Sequence, residues 1–239
     1  MATNSFETRG IVLEEAPFTE TSKRLTIFTR ERGKISVLAK GVNSPKSSIF
    51  SLTQPGIEGA YRFKPGQSFA YIREGVLLKD HSPLRKTYPE IVATSLFLEI
   101  VTKSLEDGQK NDRLYDLLAK TLDVLEEGYR TILLNAFLIK ALSFLGYRPR
   151  FIGKPEENQG KGGFFDPKSG IIEYGMVSGS GKYIQETDIL YLKEILYTSL
   201  DQLKAARCNE KLLSTLLIQM FYIHLEVRQF HCFDLVASL

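Results

Sequence analysis

The sequence predicts an α+β protein: a small five-stranded barrel, then a mostly helical domain carrying a small inserted loop-and-strand subdomain. Three observations lead there. The first 80 of 239 residues hold five short runs rich in Val, Ile, Phe, Tyr and Thr, punctuated by Gly and Pro. After His81-Ser82-Pro83, apolar residues recur at three- and four-residue spacing instead. Between Gly153 and Gly181 a polar, glycine-dense stretch interrupts that helical pattern. The expected domains are 1–80 and 81–239, with the insertion at about 147–185.

The strand runs are Thr8–Leu13, Leu25–Thr29, Lys34–Lys40, Ile57–Phe63 and Ser68–Leu78. Arg32-Gly33-Lys34 joins the second and third so tightly that they form a hairpin. Alternation in Leu25-Thr26-Ile27-Phe28 and from Ile35 to Lys40 turns one face of that hairpin to a core. Five such strands in so short a stretch close most simply into a barrel, and the five-stranded solution is OB-like. The helical runs are Tyr88–Glu106, Arg113–Glu127, Gly128–Leu145, Asp188–Leu200 and Asn209–Phe230, with Gly146 stopping the third. The third and fifth are apolar nearly all round. They form either the centre of the bundle or a groove for a partner helix.

Composition is that of an ordinary globular chain, 43% hydrophobic and 25% charged, with a net charge of only +3. Distribution is more informative. Between Ser22 and Ser48 stand Lys23, Arg24, Arg30, Arg32, Lys34, Lys40 and Lys46 against Glu31 alone, a net +6, so the rest of the chain sums to −3. A solvated edge hairpin would mix in acids. A concentrated cationic surface instead fits a polyanion, nucleic acid above all, with Ser44, Ser47 and Ser48 as further phosphate donors. Of the neighbouring aromatics, Phe28 and Phe69 are expected in the core, while Tyr61, Phe63 and Tyr71 are candidates either for core or for base stacking.

Catalytic constellations are thin. His81, His224 and His231 are scattered, the last two a heptad apart on one expected helix. Glu14-Glu15 and Glu156-Glu157 are sequence neighbours that point different ways, and no zincin, serine-hydrolase or acidic metal motif occurs. The glycine-rich pieces at 160–163 and 179–182 lack the Walker spacing, and Lys182 is followed by Tyr183 rather than Ser or Thr. Cys208 and Cys232 form no CxxC pair and read as reduced thiols. No catalytic residue, metal or cofactor is expected. The N-terminus has no signal-peptide run, and no apolar stretch approaches the roughly 20 residues of a membrane span, so a cytoplasmic protein with no membrane partner is expected.

The segment from Glu20 to Lys34, with Ala39-Lys40-Gly41-Val42, Lys46-Ser47-Ser48 and Leu52 to Pro55, resembles the opening of the RecO family of bacterial recombination mediators. Phe137 to Leu142, followed by Leu145-Gly146-Tyr147-Arg148-Pro149, is similar to that family's helix leading into its "LGY.P" signature. The resemblance implies an N-terminal OB-fold, then a helical domain with a small insertion, and a nucleoid-associated role in recombinational DNA repair. It further implies binding of single- and double-stranded DNA, strand annealing, partnership with RecR, and loading of RecA on DNA coated with single-stranded-DNA-binding protein (SSB). The acidic C-terminal tail of SSB is an implied partner of the helical domain. Many members hold zinc with four cysteines in the insertion. Residues 146–181 contain none here, so Phe164, Phe165, Ile171 and Ile172 are expected to hold it together instead. A rival reading is a scaffold whose basic barrel binds acidic protein tails and not DNA.

Overall fold

A computed structural model describes residues 5–44, 47–67, 69–154, 161–175 and 181–237. It divides into two compact units, 1–126 and 127–239.

In the first unit, β1 (Phe6–Thr19), β2 (Ser22–Thr29), β3 (Gly33–Ala39), β4 (Glu58–Lys64) and β5 (Ala70–Lys79) close in the order β1-β2-β3-β5-β4. The β3–β5 contact is parallel and the other pairs are antiparallel, which is the five-stranded OB topology expected. Val12, Leu25, Ile27, Val37, Ala39, Tyr61, Phe63 and Ile72 fill the interior. The strand β1 is longer than the Thr8–Leu13 run predicts, because Phe6 and Glu7 pair with β4 and Glu14 to Thr19 pair with β2; within it Ile11, Val12 and Leu13 are buried in succession. Alternation fails where a strand is covered on both faces: Val12 joins the interior cluster, and helix α1 (Tyr88–Ser104) packs on β1 from outside. A bulge between Val12 and Glu14 then carries β1 on to Thr19 alongside β2. Helix α2 (Asp112–Leu125) starts at Asn111, whose Oδ1 accepts from Leu114 N at 3.0 Å. Its Tyr115 packs edge-on against Phe28 at 5.5 Å and donates to Glu58 Oε1 at 3.1 Å.

In the second unit, α3 (Thr131–Phe144) is buried nearly all round by α4 (Glu186–Tyr197) and α5 (Glu210–His224). Of the two readings its composition allows, it takes the centre of the bundle. Gly146, at φ +96°, stops it while Tyr147 N donates back to Leu142 O at 2.8 Å. The insertion folds into a four-stranded sheet of β6 (Arg150–Ile152), β7 (Gly163–Asp166), β8 (Ile171–Tyr174) and β9 (Lys182–Ile184), ordered β6-β8-β7-β9. Phe165 and Ile172, direct cross-strand partners, are fully buried. Phe164 and Ile171 are only half-buried, and Phe164 meets Tyr183 edge-on at 5.7 Å.

Two expectations fail at the C-terminal end. The helix expected over Asn209–Phe230 ends at His224, so His224 and His231 do not share one. Val227 and Phe230 keep helical spacing, but Glu226 turns left-handed at φ +52° and folds Phe230 back against Phe221 and Tyr222. A five-residue helix, α6 (Phe233–Ala237), follows.

Candidate nucleic-acid interface

The β2–β3 hairpin carries six of the seven predicted cations; Lys46 lies outside the described residues. They do not form one patch. Register pairs Lys23 with Ala39 at the open end and Thr29 with Gly33 at the turn. Six residues from Arg24 to Arg30 span roughly 20 Å at strand rise.

At the turn end Arg30 and Lys34 pair with this unit's own helices, and Arg32 packs on β1. Arg30 makes a two-pronged ion pair with Asp116 of α2 at 2.8 and 3.0 Å. Lys34, only 13% exposed, donates to Thr102 O in the last turn of α1 at 2.8 Å and lies 3.8 Å from Asp107. Arg32 stacks its guanidinium 4.0 Å from the Phe6 ring centroid. Gly33, at φ +71°, fits because a Cβ there would stand 2.2 Å from Gln109 O. The turn is docked onto the α1–α2 connection, where Gly108 N donates to Lys34 O at 2.7 Å.

The open end is different. Lys23 pairs with Glu15 at 2.7 Å and reaches over Phe50, while Arg24 is exposed and has no carboxylate partner among the described residues. Register then runs Arg24–Leu38–Tyr71–Lys64 across β2, β3, β5 and β4, so these side chains share the outer face. Lys40 Nζ lies 4.5 Å from the Tyr71 ring centroid. Around them is a cleft of about 560 Å³ whose lining includes Lys40, Lys64, Arg73, Tyr71, Ser47 and Ser48, with no carboxylate among its lining residues. Lys64 and Arg73 line this cleft without belonging to the basic run read from sequence. The signal that finds them is topological: closing β3 on β5 brings them beside Lys40.

The aromatics sort differently from expectation. Phe28, Tyr61 and Phe63 are buried. Phe69 is not core: it is half-buried in the β4–β5 connection and meets Phe18, 53% exposed at the end of β1, edge-on at 6.4 Å. The β1–β2 and β4–β5 connections flank the oligonucleotide-binding face of OB barrels generally.

Two of the histidines and Cys208 do not line this cleft. His81 is buried with Nδ1 2.6 Å from Glu126 Oε1. His224 stacks on Tyr147 and its Nε2 lies 3.0 Å from Pro167 O. Burial, aided by Glu210 and Asp188, pushes the Cys208 thiol up to about 12, which leaves little thiolate at neutral pH. Among the described residues no cluster of His, Cys, Asp and Glu has the makings of a metal site, and no helix is long and apolar enough to cross a membrane. Glu156-Glu157, Gly160 and Gly179-Ser180 lie outside the described residues.

Comparison with known proteins agrees with this architecture. Residues 1–80 match the family described as "Recombination protein O N terminal", and residues 85–228 match "Recombination protein O C terminal". Proteins named "DNA repair protein RecO" are similar: one from Moorella thermoacetica is 33% identical over 145 residues (61% of this chain, 54% of that protein). Those from a Thermoanaerobacter species and from Bacillus cereus AH187 are 32% identical over 146 and 143 residues, covering 60% and 59% of this chain and 59% and 58% of theirs. The matched stretch thus spans less than two thirds of those relatives' length. With an OB barrel, a helical domain and both family descriptions aligned in order along it, the chain belongs to the recombination protein O (RecO) family.

Proposed function

We propose that this chain is a DNA-binding recombination mediator that works without catalytic chemistry, its barrel holding DNA in the cleft of Lys40, Lys64, Tyr71 and Arg73, with Arg24 beside it. The observation that carries this is a cationic cleft with no lining carboxylate and an aromatic ring among its cations. Cations free of acids neutralise phosphates at little desolvation cost, and the Tyr71 ring offers a face to a base. The turn-end cations Arg30 and Lys34 serve mainly to dock the hairpin on α1 and α2. Family membership and the relatives' name support a role in DNA repair and recombination. On this reading the chain anneals complementary strands and, with RecR, loads RecA on SSB-coated DNA. It works in the cytoplasm at the nucleoid, and its helical domain supplies the surface for the SSB tail.

The test is fluorescence anisotropy of a labelled single-stranded oligonucleotide against the parent and the double variant Lys40→Glu with Arg73→Glu. Binding at moderate salt should weaken by roughly tenfold or more, and the salt dependence should lose about 0.7 in slope per contact removed. Parent-like affinity and slope would remove the cleft from the reading. A competing acidic SSB-tail peptide that binds the barrel while DNA does not would favour the scaffold alternative.

A further inference from the structure

We propose that the second unit carries its own binding site for single-stranded nucleic acid, in the cleft between β6 and α4. Behind Gly146 the chain leaves α3 as Arg148-Pro149-Arg150, with Pro149 buried and both arginines exposed. From α4, Lys193 and Tyr197 are one helical turn apart and so share a face. These residues, with Phe151 and Ile152, line a concavity of about 770 Å³, and none of its lining residues is acidic.

The cations there are held by aromatic rings and not by acids. Arg148 bonds the Tyr197 hydroxyl, with its guanidinium carbon 5.1 Å from the ring centroid. Lys193 Nζ lies 4.7 Å from the Tyr174 centroid and 5.3 Å from that of Phe151, and donates to the Tyr174 hydroxyl at 3.3 Å. Arg150 is exposed with no ion-pair partner among the described residues. Three cations with no ion-pair partner among the described residues attract a polyanion.

Tyr197 decides the class of polyanion. It is 71% exposed, the most open large hydrophobic side chain among the described residues, and it stands beside a guanidinium. An exposed ring flanked by a cation stacks a base, and only a single strand presents an unstacked base to it. An acidic peptide would use the charges but leave the ring idle. The chemistry repeats that of the Lys40–Tyr71 cleft on the other unit, so one chain can hold two strand segments, as bringing strands together requires.

The experiment titrates the full chain with a thymidine oligonucleotide of about ten residues, within the span of one such site, at low salt. Two oligonucleotides per chain are expected. The cleft variant Arg148→Glu, Arg150→Glu, Lys193→Glu should bind one, its second event weakened at least roughly tenfold, and the barrel variant Lys40→Glu, Arg73→Glu should also bind one. Parent stoichiometry and affinity in the cleft variant overturn the second site and leave the barrel reading standing. Loss confined to the cleft variant supports the second site and removes the barrel reading. Should the triple variant unfold, photocross-linking of a thiothymidine oligonucleotide to the parent decides: adducts on Tyr197 are expected, and their absence overturns the proposal. Displacement of the oligonucleotide from Tyr197→Ala but not from the parent by an acidic peptide shows the ring holding the base. An acidic peptide that binds the cleft while the oligonucleotide does not overturns the assignment.

Discussion

Lys40 Nζ rests 4.5 Å from the centroid of the Tyr71 ring, linking the last outward position of the β2–β3 hairpin to the first residues of β5. The contact exists because β3 and β5 run parallel through Leu38 and Tyr71, which seats Lys40 just beyond the pair. Both the cation–π contact and base stacking need the ring and not the phenol oxygen. Tyr71→Phe should therefore bind single-stranded DNA like the parent, and Tyr71→Ala should bind it more weakly by about 1–3 kcal/mol. Equal affinities for the three proteins in anisotropy titrations would show that the ring does not contact the strand.

At the other end of the hairpin, Gly33 is required twice over. Its φ of +71° disfavours any side chain, and a Cβ would collide with backbone, 2.2 Å from Gln109 O. The first penalty alone is about 1–2 kcal/mol, and the second displaces the α1–α2 connection. Gly33→Ala should lower stability by more than about 2 kcal/mol, read as a fall of several degrees in thermal midpoint. Its DNA affinity, measured well below that midpoint, should change little, since Lys40, Lys64 and Arg73 lie at the opposite end. A large affinity loss in a folded Gly33→Ala protein would place DNA on the turn instead.

How much was legible follows from the same hairpin. Period-two alternation in β2 and β3 announces a half-buried strand pair, and five such runs announce closure. The site was less legible, because charge adjacent in sequence is not adjacent in space. Arg24 and Arg30 stand in one basic run yet at opposite ends of a strand, whereas Lys40, Lys64 and Arg73 come from three strands and meet only through the β3–β5 closure. The sequence also hides which cations are spent internally: nothing near Arg30 or Lys34 names Asp116 or Thr102 as partners. The end of α5 was illegible for a related reason, since Val227 and Phe230 continue the helical spacing without a Gly or Pro stop.

Within the second unit, Asn135 is the buried polar centre of three helices. Its Nδ2 donates to the Tyr191 hydroxyl at 3.2 Å and to Glu210 O at 3.1 Å, and its Oδ1 accepts from Ser214 Oγ at 2.7 Å. An apolar substitute deprives the Tyr191 hydroxyl and Glu210 O of a donor and Ser214 Oγ of one of its two acceptors. Asn135→Leu should destabilise the protein by about 1–3 kcal/mol in urea unfolding. Combined with Ser214→Ala, the losses should not add, because Ser214 retains Glu210 O at 2.9 Å as a second acceptor. Strict additivity would mean that the network does not act as a unit.

The turn between β7 and β8 is held by one carboxylate, and that makes the inserted sheet sensitive to acid. Asp166 accepts from Ser169 Oγ at 2.7 Å, from Lys168 N at 3.0 Å and from Ser169 N at 3.3 Å. The Ser169 hydroxyl foremost, then the two backbone amides, hold its carboxyl below the ordinary 3.8. The sign follows from a folded value lower than the unfolded one: the unfolded chain takes up the proton first. The stabilisation is therefore complete above the ordinary value and drains away as pH falls through it toward the folded value. Melting curves of the parent from neutral pH into acid should show an acid-limb loss that Asp166→Asn lacks, the variant being less stable at neutral pH and the gap narrowing as pH falls below the ordinary carboxylate value. Parallel curves across that range would mean that the turn is held by its backbone bonds, with Gly170 N to Asp166 O at 2.9 Å sufficient without the charge.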